Sequence, residues 1–108
     1  MPLPPPDPIA EYVAGCSSLD ADAIASPFAA DAVVADERRT HRGRAEIRRW
    51  IEEATIANRA VPTPLAVTQD GETVVMTANV AGSFPGSPVT LTFRFTLEGG
   101  EIARLEIH

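Results

Sequence analysis

Lysine is absent from this chain. All nine basic side chains are arginine, set against fifteen carboxylates, and the formal net charge is −6. Without lysine no side-chain amine is available for Schiff-base chemistry. The acidic balance argues against a general nucleic-acid binder, which needs a basic face to neutralise phosphates. Cysteine occurs once, at Cys16. It excludes an intrachain disulfide, and no Cys/His cluster has zinc spacing. The two histidines, His41 and His108, are far apart and form no metal pattern. No cofactor motif is present. No apolar run approaches a membrane span. The start, MPLPPPDP, lacks the basic and apolar regions of a signal peptide. The expectation from these absences is a cytoplasmic protein without metal, cofactor, nucleic-acid or membrane partner.

What is present fits one folded domain. A chain of 108 residues buries roughly two thirds of its unfolded surface, enough for a core without staples. Residues 1–7 read as a flexible Pro-rich arm and residues 8–108 as a single domain. Asp7 at an N-cap and Pro8 at the next position open a first helix. Its apolar face is Ile9, Tyr12, Val13 and Cys16, and Ser17-Ser18 ends it. A second short helix runs from about Leu19 to Ala25, with Ser18 or Asp20 as cap, and Pro27 stops it. Phe28 then plugs the core.

Ala32 to Asp36 reads as a short strand with Val34 and Asp36 on one face. A polar loop from Glu37 to Gly43 follows. A long amphipathic helix then runs to about Asn58, with Ile47, Trp50, Ile51, Ala54 and Ala57 as its buried stripe. Glu46 is placed to reach back to the free N–H groups of that helix. Arg48–Glu52 and Arg49–Glu53 stand at i,i+4 spacing.

After Val61-Pro62 the hydrophobic period changes from 3.6 to 2. Strands are expected over Pro64–Gln69, Glu72–Ala81, Val89–Leu97 and Glu101–Ile107, separated by turns at Asp70-Gly71, Pro85-Gly86 and Gly99-Gly100. Val74, Met76, Ala78 and Val80 form one face of the second of these strands. Val89, Leu91, Phe93, Phe95 and Leu97 form one face of the third, and Ala103, Leu105 and Ile107 one face of the last. Helices first and a meander of strands afterwards imply an α+β fold, with helices packed on one face of an antiparallel sheet. The other face is rich in threonine and suits water or a dimer contact.

The segments FAADAVVAD, HRGRAEIRRWI and VTLTFRFTLEGGEIARLEI, in this order, resemble the nuclear transport factor 2-like superfamily. Within it the chain resembles the SnoaL-like polyketide cyclase and ketosteroid isomerase-related group, over about residues 8 to 108. The resemblance implies a cone-shaped fold, N-terminal helices on a curved sheet, around a cavity. It also implies roles for two residues. Asp36 ends the first strand where the isomerases keep a general-base Asp. Tyr12 lies near where they keep a Tyr that hydrogen-bonds the developing oxyanion, in a site completed by a protonated Asp. Here the inward positions of the corresponding strand are Leu91, Phe93 and Phe95, with no acid. The Asp–Arg–Asp set of the family's epoxide hydrolases is also missing, and Arg94 sits on the threonine face.

Each candidate has a structural reading beside the functional one. Asp36 is a proton acceptor next to a ligand carbonyl or a strand-end acceptor of loop N–H bonds. Tyr12 is an oxyanion donor or a core aromatic. His41, in the exposed THRGR loop, is a proton carrier at a cavity mouth or a solvated residue. Phe28, Val34, Trp50, Met76, Phe93 and Phe95 are pocket wall or core. Cys16 reads as a buried small residue. Arg38, Arg39, Arg42, Arg44, Arg48 and Arg49 form an anion-attracting helix start or a solvated face. Two functions follow. One is a small-molecule-binding protein, a cofactor-independent isomerase or cyclase that abstracts a proton next to a carbonyl of a hydrophobic ligand. The other is a non-catalytic ligand-binding or dimeric assembly module. A homodimer through the sheet is expected in both.

Overall fold

The computed structural model describes residues 6–36 and 38–108. Helix α1 spans Asp7–Ser18. Its cap position is Pro6, whose carbonyl accepts the N–H groups of Ile9 and Ala10 at 3.0 Å. Asp7 is therefore inside the first turn, where its charge complements the helix dipole, and not at the cap as its type suggests. Of the expected arm, residues 1–5 lie outside the described residues, while Pro6 and Asp7 belong to the helix start. Pro8, Ile9, Tyr12, Gly15 and Cys16 are buried. The helix runs through both serines and stops at Leu19, in the left-handed region at φ 51°.

Asp20 caps α2, Ala21–Ala25, by accepting the N–H groups of Asp22 and Ala23 at 3.1 and 3.2 Å. Gly15 permits the close crossing of α1 and α2, since a Cβ there would meet the Ile24 backbone nitrogen at 2.8 Å.

Strand β1, Phe28–Asp36, is longer than the apolar alternation suggests and begins at Phe28 itself. The expected loop contains a second strand, β2, Arg39–Arg42, which pairs antiparallel with β1. Its register sets Val34 opposite His41 and Asp36 opposite Arg39. Arg38 makes the turn at φ 66°. Helix α3, Gly43–Trp50, begins where Glu46 Oε1 accepts the Arg42 N–H at 3.0 Å. Arg48 pairs with Glu52 at 3.1 Å, as its spacing predicts, and also with Asp22 of α2 at 2.6 Å. The Arg49–Glu53 pair does not form among the described residues.

The helix continues as a π-helical turn, Ile51–Ile56. Bonds from the Ala57 N–H to Glu52 O and from the Ala60 N–H to Thr55 O, both 2.9 Å, span five residues. They widen the turn and change the angular step between side chains. Ile47, Trp50 and Ile51 are buried as expected. Beyond them Thr55 is buried and Ala57 exposed, the reverse of the α-helical expectation.

The remaining strands are β3, Val61–Asp70, β4, Thr73–Ala81, β5, Val89–Glu98, and β6, Glu101–Ile107. One six-stranded sheet results, in the order β2-β1-β6-β5-β4-β3. Among the described residues only the β1–β6 pair is parallel. The helices cover one face and bury Val74, Met76, Ala78, Val80, Phe93 and Phe95 against Ile9, Tyr12, Ile24 and Ile51.

Strict alternation fails in β6. Thr96 pairs with Arg104 and Leu97 with Ile102, so Ala103 is the extra residue of a bulge. A bulge shifts the facing phase of the strand. Ile102 and Leu105, three apart, are both fully buried, while Ala103 is not. The prolines of β3 are tolerated because that strand is an edge, and its Leu65, at another register shift, is exposed.

Gly82, just after β4, touches the end of the π-turn segment. A Cβ there would lie 2.5 Å from the Asn58 carbonyl oxygen and 2.9 Å from that of Arg59. These are backbone atoms held by packing. Gly82→Ala is expected to destabilise the fold by roughly 1–3 kcal/mol, the usual range for overpacking. Leu65→Ala, on the exposed bulge, should shift stability far less. Urea midpoints of the two variants check this.

Candidate functional site

A cavity of about 600 Å³ opens between the helices and the concave face of the sheet. Tyr12 and Cys16 of α1, Asp36 of β1, and Arg39 and His41 of β2 contribute to its wall. Trp50, Glu53, Thr55 and Asn58 come from α3 and its continuation. Leu91 and Phe93 of β5, Ile107 of β6 and the Phe84-Pro85-Gly86 turn complete most of the rest.

Strand alternation places Ala32 and Val34 in the core and brings Asp36, next on the same face, to the cavity edge, half-buried. Trp50 Nε1–H donates to Asp36 Oδ2 at 2.9 Å. A buried indole N–H needs an acceptor, and a carboxylate makes the bond charge-assisted. Trp50 is the only side-chain partner of Asp36 among the described hydrogen bonds, so the carboxylate is held from one side. The His41 ring lies 6.1 Å from the Trp50 ring at 34°. Hairpin, helix end and carboxylate form one braced corner.

Tyr12 is packed by aromatic edges. Its ring centroid is 5.7 Å from Phe95, 5.9 Å from Phe28 and 6.4 Å from Phe93. Burial holds its hydroxyl well above the usual 10.0, and Cys16 and the Asp36 charge push the same way. Tyr12 is therefore a neutral phenol, a hydrogen-bond donor. Burial pushes the Cys16 thiol up from the usual 9.0 to about 12, against a smaller opposing effect of the Tyr12 hydroxyl. The thiolate is the nucleophilic form, so Cys16 is inert at neutral pH.

The structure brings Asp36 and Tyr12 to one cavity, together with Trp50 and Phe93. The other expected wall residues lie elsewhere. Val34, Met76 and Phe95 are fully buried and absent from the lining. Phe28 borders a separate recess of about 280 Å³ with Ala25, Arg44, Ala45, Ile47 and Arg48. Inward facing is set by alternation, but the cavity occupies only part of the inner face, and these four side chains pack the rest. Glu53, Thr55 and Asn58 were not legible as site residues, because no local signal marks the π-turn that presents them. Pro85-Gly86 was legible as a turn, but not as cavity rim. Among the described residues no group of three or more His, Cys, Asp or Glu is placed to hold a metal ion. No described helix is long and apolar enough to cross a membrane.

Helices laid on a curved, mostly antiparallel sheet with a cavity between them define an α+β cone of the nuclear transport factor 2-like kind. Residues 9–105 match the SnoaL-like domain, and the chain belongs to that family. It is similar to a Sinorhizobium meliloti protein provisionally named a polyketide cyclase. The two are 47% identical with a TM-score of 0.91, over 96% of this chain and 95% of that one. A Catenulispora acidiphila protein of ketosteroid isomerase-like fold, solved with trimethylamine, is 22% identical. Its TM-score is 0.83, over 97% of this chain and 86% of that one. The epoxide hydrolase/cyclase-like enzyme SalBIII, described for pyran ring formation in salinomycin, is also 22% identical. Its TM-score is 0.81, over 94% of this chain and 86% of that one. These last two likenesses are of fold. No curated protein matches the chain.

The Cys16 shift has a pH consequence. A group whose folded pKa is raised stabilises the fold below its unfolded value and loses that contribution as pH rises through the folded one. Stability should fall between pH 9 and about 12. Urea midpoints across that range should fall less steeply for Cys16→Ser, and equal slopes would count against the burial account.

Proposed function

We propose that this SnoaL-like protein binds a hydrophobic carbonyl compound in its cavity and acts on it without a cofactor, as an isomerase or a cyclase. The observation that carries the reading is the placement of the Asp36 carboxylate and the buried Tyr12 phenol on one cavity of about 600 Å³. That volume lies within the range usual for small-ligand sites. A cone filled by its own side chains would have favoured the non-catalytic module.

In this reading Asp36 takes a proton from the carbon next to the ligand carbonyl. The C–H electron pair becomes the C=C bond of an enolate, the carbonyl π pair moves to oxygen, and Tyr12 donates a hydrogen bond to that oxygen. Trp50 holds one carboxylate oxygen and so orients the other toward the ligand. Return of the proton to a different carbon gives isomerisation. Attack of the enolate carbon on a second carbonyl forms the ring C–C bond, and the new alkoxide takes up the proton held by Asp36. The similarity to the Sinorhizobium meliloti protein supports the second outcome.

The opposing wall offers Leu91 and Phe93 and no acid. An oxyanion donor typically contributes about 2.7–4 kcal/mol to transition-state stabilisation. With Tyr12 alone, substrates whose proton is already acidic, such as polyketide-like β-keto compounds, suit the site better than simple ketones.

The proposed assembly is a homodimer through the outer sheet face. There Thr73–Thr96, Val75–Arg94, Thr77–Thr92 and Asn79–Thr90 lie opposite one another in the ladder. A monomeric mass by light scattering at micromolar concentration would remove it.

The catalytic part is tested by proton–deuteron exchange next to the carbonyl of a β-keto ester, followed by NMR above the uncatalysed rate. Asp36→Asn should lower the catalysed rate by about 10²-fold or more, the scale of general-base catalysis. Trp50→Phe, which frees the carboxylate without removing it, should lower it less. An unchanged rate in Asp36→Asn would take Asp36 out of the mechanism.

A further inference from the structure

Thr55 is the one buried polar residue of the core among the described residues, at 6% exposure. It also lines the cavity. No described residue hydrogen-bonds its hydroxyl, and among the described residues no fully enclosed side-chain N or O atom lacks a partner. The hydroxyl is therefore not fully enclosed, and the cavity is the space that its residue borders. Its neighbour in the wall, Asn58, has one amide nitrogen engaged, Nδ2 donating to Ala54 O at 2.9 Å, and its backbone carbonyl accepts the Ser83 N–H at 2.6 Å.

The backbone explains how a threonine comes to face this space. In an α-helix position 55 would lie about 140° around the axis from Trp50, away from the cavity side. The five-residue bonding of Ile51–Ile56 reduces that angle and returns Thr55 to the face that Trp50 presents. The hydroxyl has no partner among the described residues, so a polar group of a ligand can take the place of water there. The site that accepts such a ligand discriminates against one lacking the matching group.

We infer that Thr55 is a specificity-determining residue that hydrogen-bonds a second oxygen of the ligand, remote from the carbon that faces Asp36. The inference rests on the reading of the cavity as a carbonyl-compound site. Thr55 stands five residues beyond Trp50, which holds Asp36, so the two polar anchors lie at different points of the cavity wall. The ligand class is a carbonyl compound with a second hydroxyl or keto oxygen remote from its acidic carbon. Leu91 and Phe93 add apolar contact in the same cavity.

Benzoylacetone and its para-hydroxy derivative form a matched pair of probes, since the added oxygen lies at the far end of the ring. Their affinities are measured by NMR titration of the full chain at neutral pH. The wild type should bind the hydroxylated probe about fivefold or more tightly, the scale of one hydrogen bond. Thr55→Val should abolish that preference while leaving benzoylacetone binding intact. Thr55→Ser should keep it. If the valine variant does not fold, the wild type decides, because equal affinities for the two probes overturn the inference. Retention of the preference in a folded Thr55→Val protein also overturns it. If neither probe binds the wild type, the carbonyl reading fails and Thr55 falls with it. Binding of both without preference removes Thr55 alone.

Discussion

The hydrogen bond from Trp50 to Asp36 ties the cavity together. It links the last residue of β1 to the last residue of α3, at the point where the helix widens into its π-turn. On one side the β1–β2 hairpin brings Arg39 and His41 to the mouth, with His41 against the indole. On the other the π-turn carries Thr55 into the wall. A side chain in a buried apolar setting must place its polar atom against a partner. The indole N–H and the carboxylate meet that demand for each other, and in doing so they set the angle at which helix and hairpin enclose space.

The cavity has two electrostatic characters. Deep in the wall, α1 presents a phenol and a thiol that burial keeps neutral. Near the strand and helix ends, Asp36, Arg39, His41 and Glu53 supply charge and titratable groups. An apolar body with a carbonyl at one end fits such a gradient. In the proposed reading Tyr12 and Asp36 take the ligand carbonyl, and Leu91 and Phe93 take its hydrocarbon. This polarity distinguishes the cavity from the Phe28 recess, which is smaller and flanked by Arg44 and by an Arg48 already engaged with Asp22 and Glu52.

Much of the fold was legible. Glu101–Ile107 was read with its observed bounds, and the alternation of β4 gave its buried face correctly at Val74, Met76, Ala78 and Val80. Three features were hidden for separate reasons. Strand β2 is four polar residues, and only pairing with β1 makes it a strand. The Ala103 bulge reverses the phase of β6 without a glycine to announce it. The π-turn occurs within IEEATI, whose composition is that of an ordinary helix. Of the expected wall residues, Trp50 and Phe93 line the cavity, whereas Val34, Met76 and Phe95 fill the core beside it.

The order of elements, the inward faces of most strands and the position of Asp36 at the end of the first strand are written into the residue pattern. These follow from local periodicity and from turn chemistry at Asp70-Gly71, Pro85-Gly86 and Gly99-Gly100. Where the inner face stays unfilled, and which helix residues border that space, depends on how the elements pack together. The reason is physical. A hydrophobic period names a direction, but a cavity is what remains after side chains from distant segments have packed. The hydrogen-bond step of Ile51–Ile56 belongs to that packing, and Thr55 faces the cavity through it.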